Sequence, residues 1–416
     1  MNTYNDNRGQ LLFPIKDETI LGKITQSTVS KNKKNVFRGF HSNNFDKLVT
    51  CVNGKILDII VDLNETSEKY LKPQYFTLDP NTDLFQLFVP KNFAHAFLSL
   101  EKNSIVLYHF NGVFKSDETK FINYQDPYLN IELPIKDVIL SDNDSKKIFT
   151  DNIDYVIIGH KGYIGNKIYN QLLEEKKKVI FLTERLNDID NIRKKLELYE
   201  PKYIINAAGL TGFPNTSWCD TNRTQTIETN LTFQLTLAKI CNDLKIHLTV
   251  IGSGGIFKGK GIKKEADQGD YFDNFYSECR IYLENLIKNY ENVLYLRVNY
   301  PISSDNNEKN LMVKLAKYDK IANTEMSVTC LDTLVPLLSN IIENRETGIF
   351  NFVNPGTINL IDIKKSYNKK HNIEDTFSII ENKDRPCPLL DTQKIEKYQA
   401  KDIKESINLI NFNNNS

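Results

Sequence analysis

Neither sign of charge is in excess in this sequence: 53 lysines and arginines face 53 aspartates and glutamates, for a formal net charge of +0. A nucleic-acid or acidic-membrane partner requires a basic excess or stripe, so neither is expected. The lysine runs Lys31–Lys34 and Lys176–Lys178 are short and read as solvated faces. No apolar run approaches the ~20 residues of a membrane span. The opening MNTYNDNRGQ lacks the basic-then-apolar layout of a secretory leader. The six cysteines (Cys51, Cys219, Cys241, Cys279, Cys330, Cys387) are dispersed, with no CxxC and no Cys/His cluster. That pattern excludes a disulfide framework or zinc site and suits small apolar residues in a reducing compartment. With no Cys/His cluster at metal-ligand spacing, no metal is expected. These absences predict a soluble, cytoplasmic protein. Its 416 residues exceed one ordinary domain.

The first ~145 residues read as strands punctuated by turns, an extent taken from alternation and turn signals. KLVTCV and KILDIIV flank Asn53-Gly54, the pair that most favours a two-residue hairpin. Further strands are expected at Leu84–Val89, Ala96–Leu100 and Ser104–Phe110, which together predict a β-sandwich or barrel. After Ser145 the periodicity changes. Strands at Tyr155–Ile158, Val179–Leu182, Tyr203–Asn206 and Leu248–Ile251 alternate with helical stretches Tyr163–Lys178, Asp188–Tyr199 and Thr226–Leu244. That alternation predicts a parallel sheet with crossovers. The polar stretch Asp142–Asn152 is expected to be the linker, giving domains 1–147 and 153–416. The fold class is therefore multidomain, all-β followed by α/β.

GHKGYIG follows the first strand of the second half and opens a helix, placing Gly159, Gly162, Tyr163, Ile164 and Gly165 at a phosphate-binding turn. Glycines there permit a tight turn, close approach of a pyrophosphate and close helix–strand packing. The GxxGxxG spacing resembles the extended short-chain dehydrogenase/reductase family, with a Rossmann fold and an NAD(P) cofactor. The resemblance assigns Asn206-Ala207-Ala208-Gly209 to the cofactor's nicotinamide side. It assigns Asn230 to support of the site backbone near the substrate, and Ser253 and Tyr276 to catalysis. Segments such as NAAGLTGFPNTSWCD, with Thr211 on the substrate side, FYSECR and GIFNFVNPG resemble one branch, the dTDP-4-dehydrorhamnose reductases and plant-type nucleotide-rhamnose synthases. Where the family has lysine four residues after the tyrosine, this sequence has Arg280. Arginine supplies charge but does not release a proton. Thr183-Glu184-Arg185, at the end of the second strand, holds both an acid suited to NADH and an arginine suited to NADPH. The related synthases carry a basic residue there, which implies NADPH and Arg185 as a contact.

The first half resembles the dTDP-4-dehydrorhamnose 3,5-epimerases, a cupin-type jelly roll. DNRG, VFRGFH, KLVTCVNGKILDIIVDL, VPKNFAHAF, LYHF and LSDND carry that likeness. It implies His41 as base, Asp144 as its orienting acid, Tyr108 as proton donor on the opposite face, and Lys47 beside the enolate. It also implies Arg8 and Arg38 at the diphosphate, with His95 and Asp58 as further candidates. A histidine base suits the reaction because its ordinary pKa of about 6.5 lies near working pH. The family's second aromatic, often tyrosine, is Phe114 here.

Together the halves imply a bifunctional 3-epimerase, or 3,5-epimerase, and NADPH-dependent 4-reductase acting on a UDP- or dTDP-linked 6-deoxy-4-keto hexose. The product is of L-rhamnose type or, with C3 inversion alone, an L-acetamido sugar, and Phe114 favours the second. A homodimer through the β half is expected. Fusion keeps a labile intermediate near its next site. Two other readings stay open from sequence: a reductase whose β half only binds nucleotide sugar, and a non-catalytic nucleotide-sugar sensor.

Overall fold

The computed structural model describes residues 3–7, 9–15, 22–212, 215–259, 261–381 and 388–412. The chain divides into two compact units, Met1–Asn152 and Ile153–Ser416.

The first unit runs β1 (Thr3–Asp6), β2 (Gly9–Leu12), β3 (Gln26–Asn32), β4 (Phe37–Ser42), β5 (Lys47–Asn53), β6 (Ile56–Asp62), β7 (Pro73–Leu78), β8 (Gln86–Val89), β9 (Phe93–Ser99), β10 (Ser104–Phe110) and β11 (Lys120–Phe121). β1 and β2 pair with each other. The rest form a four-stranded sheet, β3-β10-β5-β8, and a five-stranded sheet, β11-β4-β9-β6-β7. Val49, Cys51 and Val106 of the first sheet meet Ile56, Ile60 and Phe97 of the second, so the sheets face each other as a jelly roll of cupin type. Each such side chain, fully buried, contributes ~1.5–3 kcal/mol. The other face of the five-stranded sheet carries Phe37, Phe40, Ile59, Val61 and Leu98, covered by Ile122 and Leu129. β6 is thus apolar on both faces, which explains the near-continuous run ILDIIV.

Two expectations are corrected here. Asn53-Gly54 does not close a hairpin, because β5 pairs with β10 and β8 while β6 pairs with β9 and β7. The turn carries the chain from one sheet to the other. Gly54 has φ 74°, and a Cβ on it would lie 2.6 Å from Ser104 Oγ. Local turn chemistry suits the bend, but burial of both strands selects their partners. The stretch Asp142–Asn152 is not a free linker either. Asp144 is buried, Asn123 Nδ2 donates to the carbonyls of Ser145 and Lys146, and Asp126 accepts from the Thr150 N–H.

β4 carries one extra residue. Arg38 pairs with Phe97 and His41 with His95, so three steps on β4 match two on β9. A regular strand would send Arg38 and His41 to opposite faces. The bulge returns them to one face and leaves Phe37 and Phe40 sharing the apolar one. Gly39 makes this geometry: its φ is 121°, and a Cβ would lie 2.5 Å from the His95 carbonyl oxygen and 2.6 Å from Ala96 Cβ.

In the second unit, β12 (Tyr155–Ile158), β13 (Val179–Leu182), β14 (Tyr203–Asn206) and β15 (His247–Ile251) join strands Val293–Val298 and Gly348–Phe352. They form a six-stranded sheet ordered β13-β12-β14-β15 and then those two strands, all parallel. Chain order reverses at β12, so a crevice opens where the carboxyl ends of β12 and β14 diverge. Helices α1 (Tyr163–Glu174) and α2 (Ile189–Tyr199) follow β12 and β13. Ile168 and Leu172 of α1 pack with Ile157, Leu296 and Phe350 of the sheet and with Leu334 and Leu338 of helix Leu331–Glu343. The expected helix Thr226–Leu244 is instead Arg223–Ile227, a π-helical turn Glu228–Thr232, and Phe233–Asp243. A π turn inserts a residue without altering the hydrophobic period enough to be seen in sequence, and such turns concentrate at functional sites.

Gly39→Ala is predicted to destabilise the first unit by on the order of 1–3 kcal/mol through overpacking against β9. Denaturant unfolding should show it, and Gly39→Ala should also misalign His41 relative to Asp144.

Candidate active sites

Between the two sheets of the first unit, polar side chains interrupt the apolar filling. His41 on β4 bonds through Nε2 to Asp144 Oδ1 at 2.7 Å. The histidine side chain is 27% exposed and the carboxylate 4%, so the imidazole reaches solvent while its partner does not. Asp144 also accepts from Ser141 Oγ at 2.7 Å. Burial pushes this carboxyl up, but hydrogen bonds from His41, Ser141 and the Gly39 N–H outweigh it and hold it below the usual range. Asp144 therefore stays an anion beside His41.

Lys47 enters from β5 and is buried; its Nζ donates to the His41 carbonyl at 3.3 Å and to Asn43 Oδ1 at 3.2 Å. Asn43 Nδ2 in turn donates to Thr119 Oγ1 at 2.9 Å, which orients the amide with its oxygen toward the lysine. Burial pushes the Lys47 ammonium down to about 8, with Asp58 acting the other way. Asp58 on β6 accepts from His95 Nε2 of β9 at 3.0 Å, and its Oδ1 is buried with no protein partner. Burial holds His95 below the ordinary imidazole range despite that carboxylate. The Tyr108 ring, from β10, stands edge-on to His95 at 6.2 Å. Burial raises its phenol strongly, Asp58 adds to the rise and Arg38 offsets it, so Tyr108 is held as a protonated acid. Arg38 is exposed and fixed through Nε to Asn32 Oδ1 at 2.8 Å. Phe114 is 42% exposed, with its N–H on Gln26 Oε1. Arg8 lies outside the described residues.

The structure thus brings His41, Lys47, Asp58, His95, Tyr108 and Asp144 together in one polar inset, from five strands and one late segment. Sequence reasoning did not find Gly39, Asn43, Thr119 or Ser141. A glycine inside the strand pattern FRGFH was the available sign of a bulge; the others are common residues whose role exists only through contact.

In the second unit the crevice is built by close backbone approach. Gly159 has φ 82°, and a Cβ on it would lie 2.6 Å from Ala208 N. A Cβ on Gly165 would lie 2.2 Å from the Gly159 carbonyl oxygen and 3.0 Å from Ala207 Cβ. Gly162 precedes α1, whose first N–H groups receive no side-chain cap, leaving an anion site. Tyr163 and Ile164 belong to that first turn, yet their side chains serve the core: the Tyr163 hydroxyl bonds Ser303 Oγ at 2.7 Å and Ile164 packs against the main cluster. Asn206 is wholly buried, accepting from Ala208 N at 3.1 Å and donating to Gln234. It shapes the loop through Ala207, Ala208 and Gly209.

Asn230, in the π turn, holds Leu210 at both ends, accepting its N–H at 2.8 Å and donating to its carbonyl at 2.7 Å. Thr211 follows directly on this clamped backbone and is half-buried. Helix Phe275–Ile287 delivers Tyr276 and Arg280, and Ser277 Oγ on it donates to the Gly255 carbonyl at 2.9 Å. That bond ties the helix to the loop after β15, where Ser253 Oγ accepts from Gly255 N. Arg280 is 3% exposed, lies 5.3 Å from the Tyr276 ring centroid and leans on Asn230 Oδ1 at 3.5 Å. Its Nε and Nη1 are buried without protein partners, and so is the Tyr295 hydroxyl beneath Gly252. Unpaired buried guanidinium nitrogens are costly, which fits a site shaped for a bound ribose and phosphate. The glycine cradle and the Arg280 donors together fit a dinucleotide cofactor.

Five cysteines among the described residues are free and buried. Among the described residues, no His/Cys/Asp/Glu group is arranged to hold a metal, and no helix is long and apolar enough to cross a membrane.

Known proteins divide along the same lines. Residues 1–151 match the family described as dTDP-4-dehydrorhamnose 3,5-epimerase, and residues 155–300 the NAD dependent epimerase/dehydratase family. A bifunctional dTDP-4-dehydrorhamnose 3,5-epimerase/dTDP-4-dehydrorhamnose reductase of Arabidopsis thaliana is 36% identical over 54% of this chain and 77% of its own length. The chain spans only 34% of a trifunctional Arabidopsis relative that also carries a UDP-glucose 4,6-dehydratase. The crystal structure of the L780 UDP-rhamnose synthase from Acanthamoeba polyphaga mimivirus is 26% identical, covering 62% of this chain and 98% of that one at TM-score 0.59. A dTDP-4-dehydrorhamnose reductase from Bacillus anthracis, solved with NADP, shares the fold at 16% identity and TM-score 0.54, over 62% of this chain and 97% of its own. The chain belongs to the family of bifunctional dTDP-4-dehydrorhamnose 3,5-epimerase/dTDP-4-dehydrorhamnose reductases.

Proposed function

We propose that this protein epimerises a nucleoside-diphosphate 6-deoxy-4-keto hexose and then reduces its 4-keto group, giving an L-rhamnose-type nucleotide sugar. The observation that carries the epimerase reading is the convergence of His41–Asp144, buried Lys47 and protonated Tyr108 between the two sheets. The 4-keto group acidifies the hydrogens on C3 and C5. His41 takes one of them, and the Asp144 anion stabilises the imidazolium that forms. Lys47 holds the enolate oxygen. Tyr108 returns a proton from the opposite side, inverting the carbon. Arg38 and Arg8 are assigned to the diphosphate.

For the reduction, NADPH is assigned to the glycine cradle and the Asn206–Gly209 loop, and when bound it supplies the hydride for C4. Ser253 orients the carbonyl oxygen. Tyr276 gives that oxygen its proton, and Arg280 holds positive charge under the phenol. Asn230 keeps the Leu210 backbone in place beside them. The pairing of a 3,5-epimerase with a reductase in the Arabidopsis relative supports joining the two steps in one chain. We assign 1–147 to epimerisation and 153–416 to reduction. A homodimer is proposed through the outer face of the four-stranded sheet, where Val29 is 57% exposed next to Leu107. A reducing cytoplasm suits the free cysteines.

Inversion at C3 alone, on a 2-acetamido substrate, is a second reading favoured by Phe114, which lacks the hydroxyl common at that place. Incubating 4-keto sugars derived from UDP-glucose and UDP-N-acetylglucosamine with NADPH in deuterated water decides between them. Deuterium at C3 and C5 supports the rhamnose-type reading, and deuterium at C3 alone supports the second. No deuterium with normal NADPH consumption would leave a reductase with a binding-only first unit.

His41→Ala should lower solvent deuterium exchange by ~10²–10⁴-fold while reduction of already epimerised ketone continues. Lys47 carries its charge below a pH of about 8 and loses it above. Exchange should therefore fall on the alkaline side through that pH, and Lys47→Arg should move the limb upward. Arg280→Met removes a buried charge with unpaired nitrogens, so the cofactor-free chain should melt at a higher temperature while NADP⁺ affinity drops at least ~10-fold, the trade-off usual at functional sites.

A further inference from the structure

β12 and β13 run side by side with Ile158 opposite Leu182, so the glycine turn after one and Thr183-Glu184-Arg185 after the other leave the sheet at the same level. In a doubly wound fold this corner receives the adenosine ribose, and an acid here hydrogen-bonds a free 2′-hydroxyl. Glu184 stands in that place, yet its side chain is 7% exposed and ion-paired through Oε1 with Lys195 of α2. Its other oxygen, Oε2, is buried without a protein partner. Lys161 and Arg185 sit exposed on the two turns.

We propose that Lys195 is a specificity-determining residue for the cofactor: by pairing with Glu184 it neutralises the acid that would otherwise reject a 2′-phosphate. The corner then holds Lys161, Arg185 and Lys195 against one carboxylate, a balance suited to NADPH, although the acid suited to NADH is present. Lys195 acts through Glu184, so its effect exists only while Glu184 is an acid. The proposal rests on the reading of the second unit as an NADPH-dependent reductase.

The test measures binding of adenosine 2′,5′-bisphosphate and adenosine 5′-monophosphate by calorimetry to the full chain, alongside NADP⁺ and NAD⁺. The unaltered chain should favour the 2′-phosphorylated ligand of each pair. Lys195→Met should cut that preference at least tenfold and improve NAD⁺ binding, because Glu184 is then available to a 2′-hydroxyl. Glu184→Gln should keep the preference, and in the Glu184→Gln background Lys195→Met should cost little. Lys195→Arg, which retains the charge, should keep it too. Equal losses from Lys195→Met in both backgrounds would mean that Lys195 is a plain phosphate contact, and would overturn the proposal. An unchanged preference in Lys195→Met would overturn it as well. If thermal melting shows Lys195→Met unfolded, Lys195→Gln serves in its place. Failure of the unaltered chain to bind either dinucleotide would instead remove the reductase reading, and the proposal with it.

Discussion

The hydrogen bond between His41 and Asp144 joins residues 103 positions apart and does more than close a loop. A carboxylate paired with an imidazole must survive burial to remain an anion. Asp144 survives because it gathers donors from three places: the ring of His41, the hydroxyl of Ser141 and the backbone of Gly39. The bulge at Gly39 therefore serves two ends. It turns His41 toward the space between the sheets, and it presents an N–H to the carboxylate. The 141–150 stretch that carries Asp144 is itself tied down by Asn123 and Asp126.

Desolvated charge organises the rest of the molecule as well. In the first unit, Lys47, Asp58 and His95 share a buried inset where each would be costly alone. Their mutual contacts leave one oxygen of Asp58 unpaired. In the second unit, Arg297 is fully buried but satisfied by Glu284 and by the Lys264 and Asp267 carbonyls. Arg280, equally buried, keeps two nitrogens without a protein partner. The contrast separates an arginine whose donors are all met by the protein from one whose donors are met only in part.

The second unit positions its groups by clamps. Asn230 fixes Leu210 at both its N–H and its carbonyl, Asn206 and Gln234 fix Ala208, and Ser277 fixes Gly255. Each clamp uses an amide or hydroxyl to set a backbone segment that faces the crevice. Glycines at 159 and 165 let those segments approach more closely than a Cβ permits.

Much was legible in the chain itself. The change from short alternating strands to strand–helix alternation marked two units, and GHKGYIG after an apolar strand marked a tight glycine turn into a helix, because local periodicity and glycine geometry depend on neighbours in sequence. His41, Lys47, Tyr108 and Asp144 were readable through family motifs. Tertiary structure alone decided which strands pair across Asn53-Gly54, since sheet partnership depends on which faces are buried. It alone showed that the Tyr163 side chain belongs to the core, that Asn43 aims Lys47, and that Glu184 is already taken by Lys195. Those facts rest on contacts between distant residues, and no spacing along the chain encodes them.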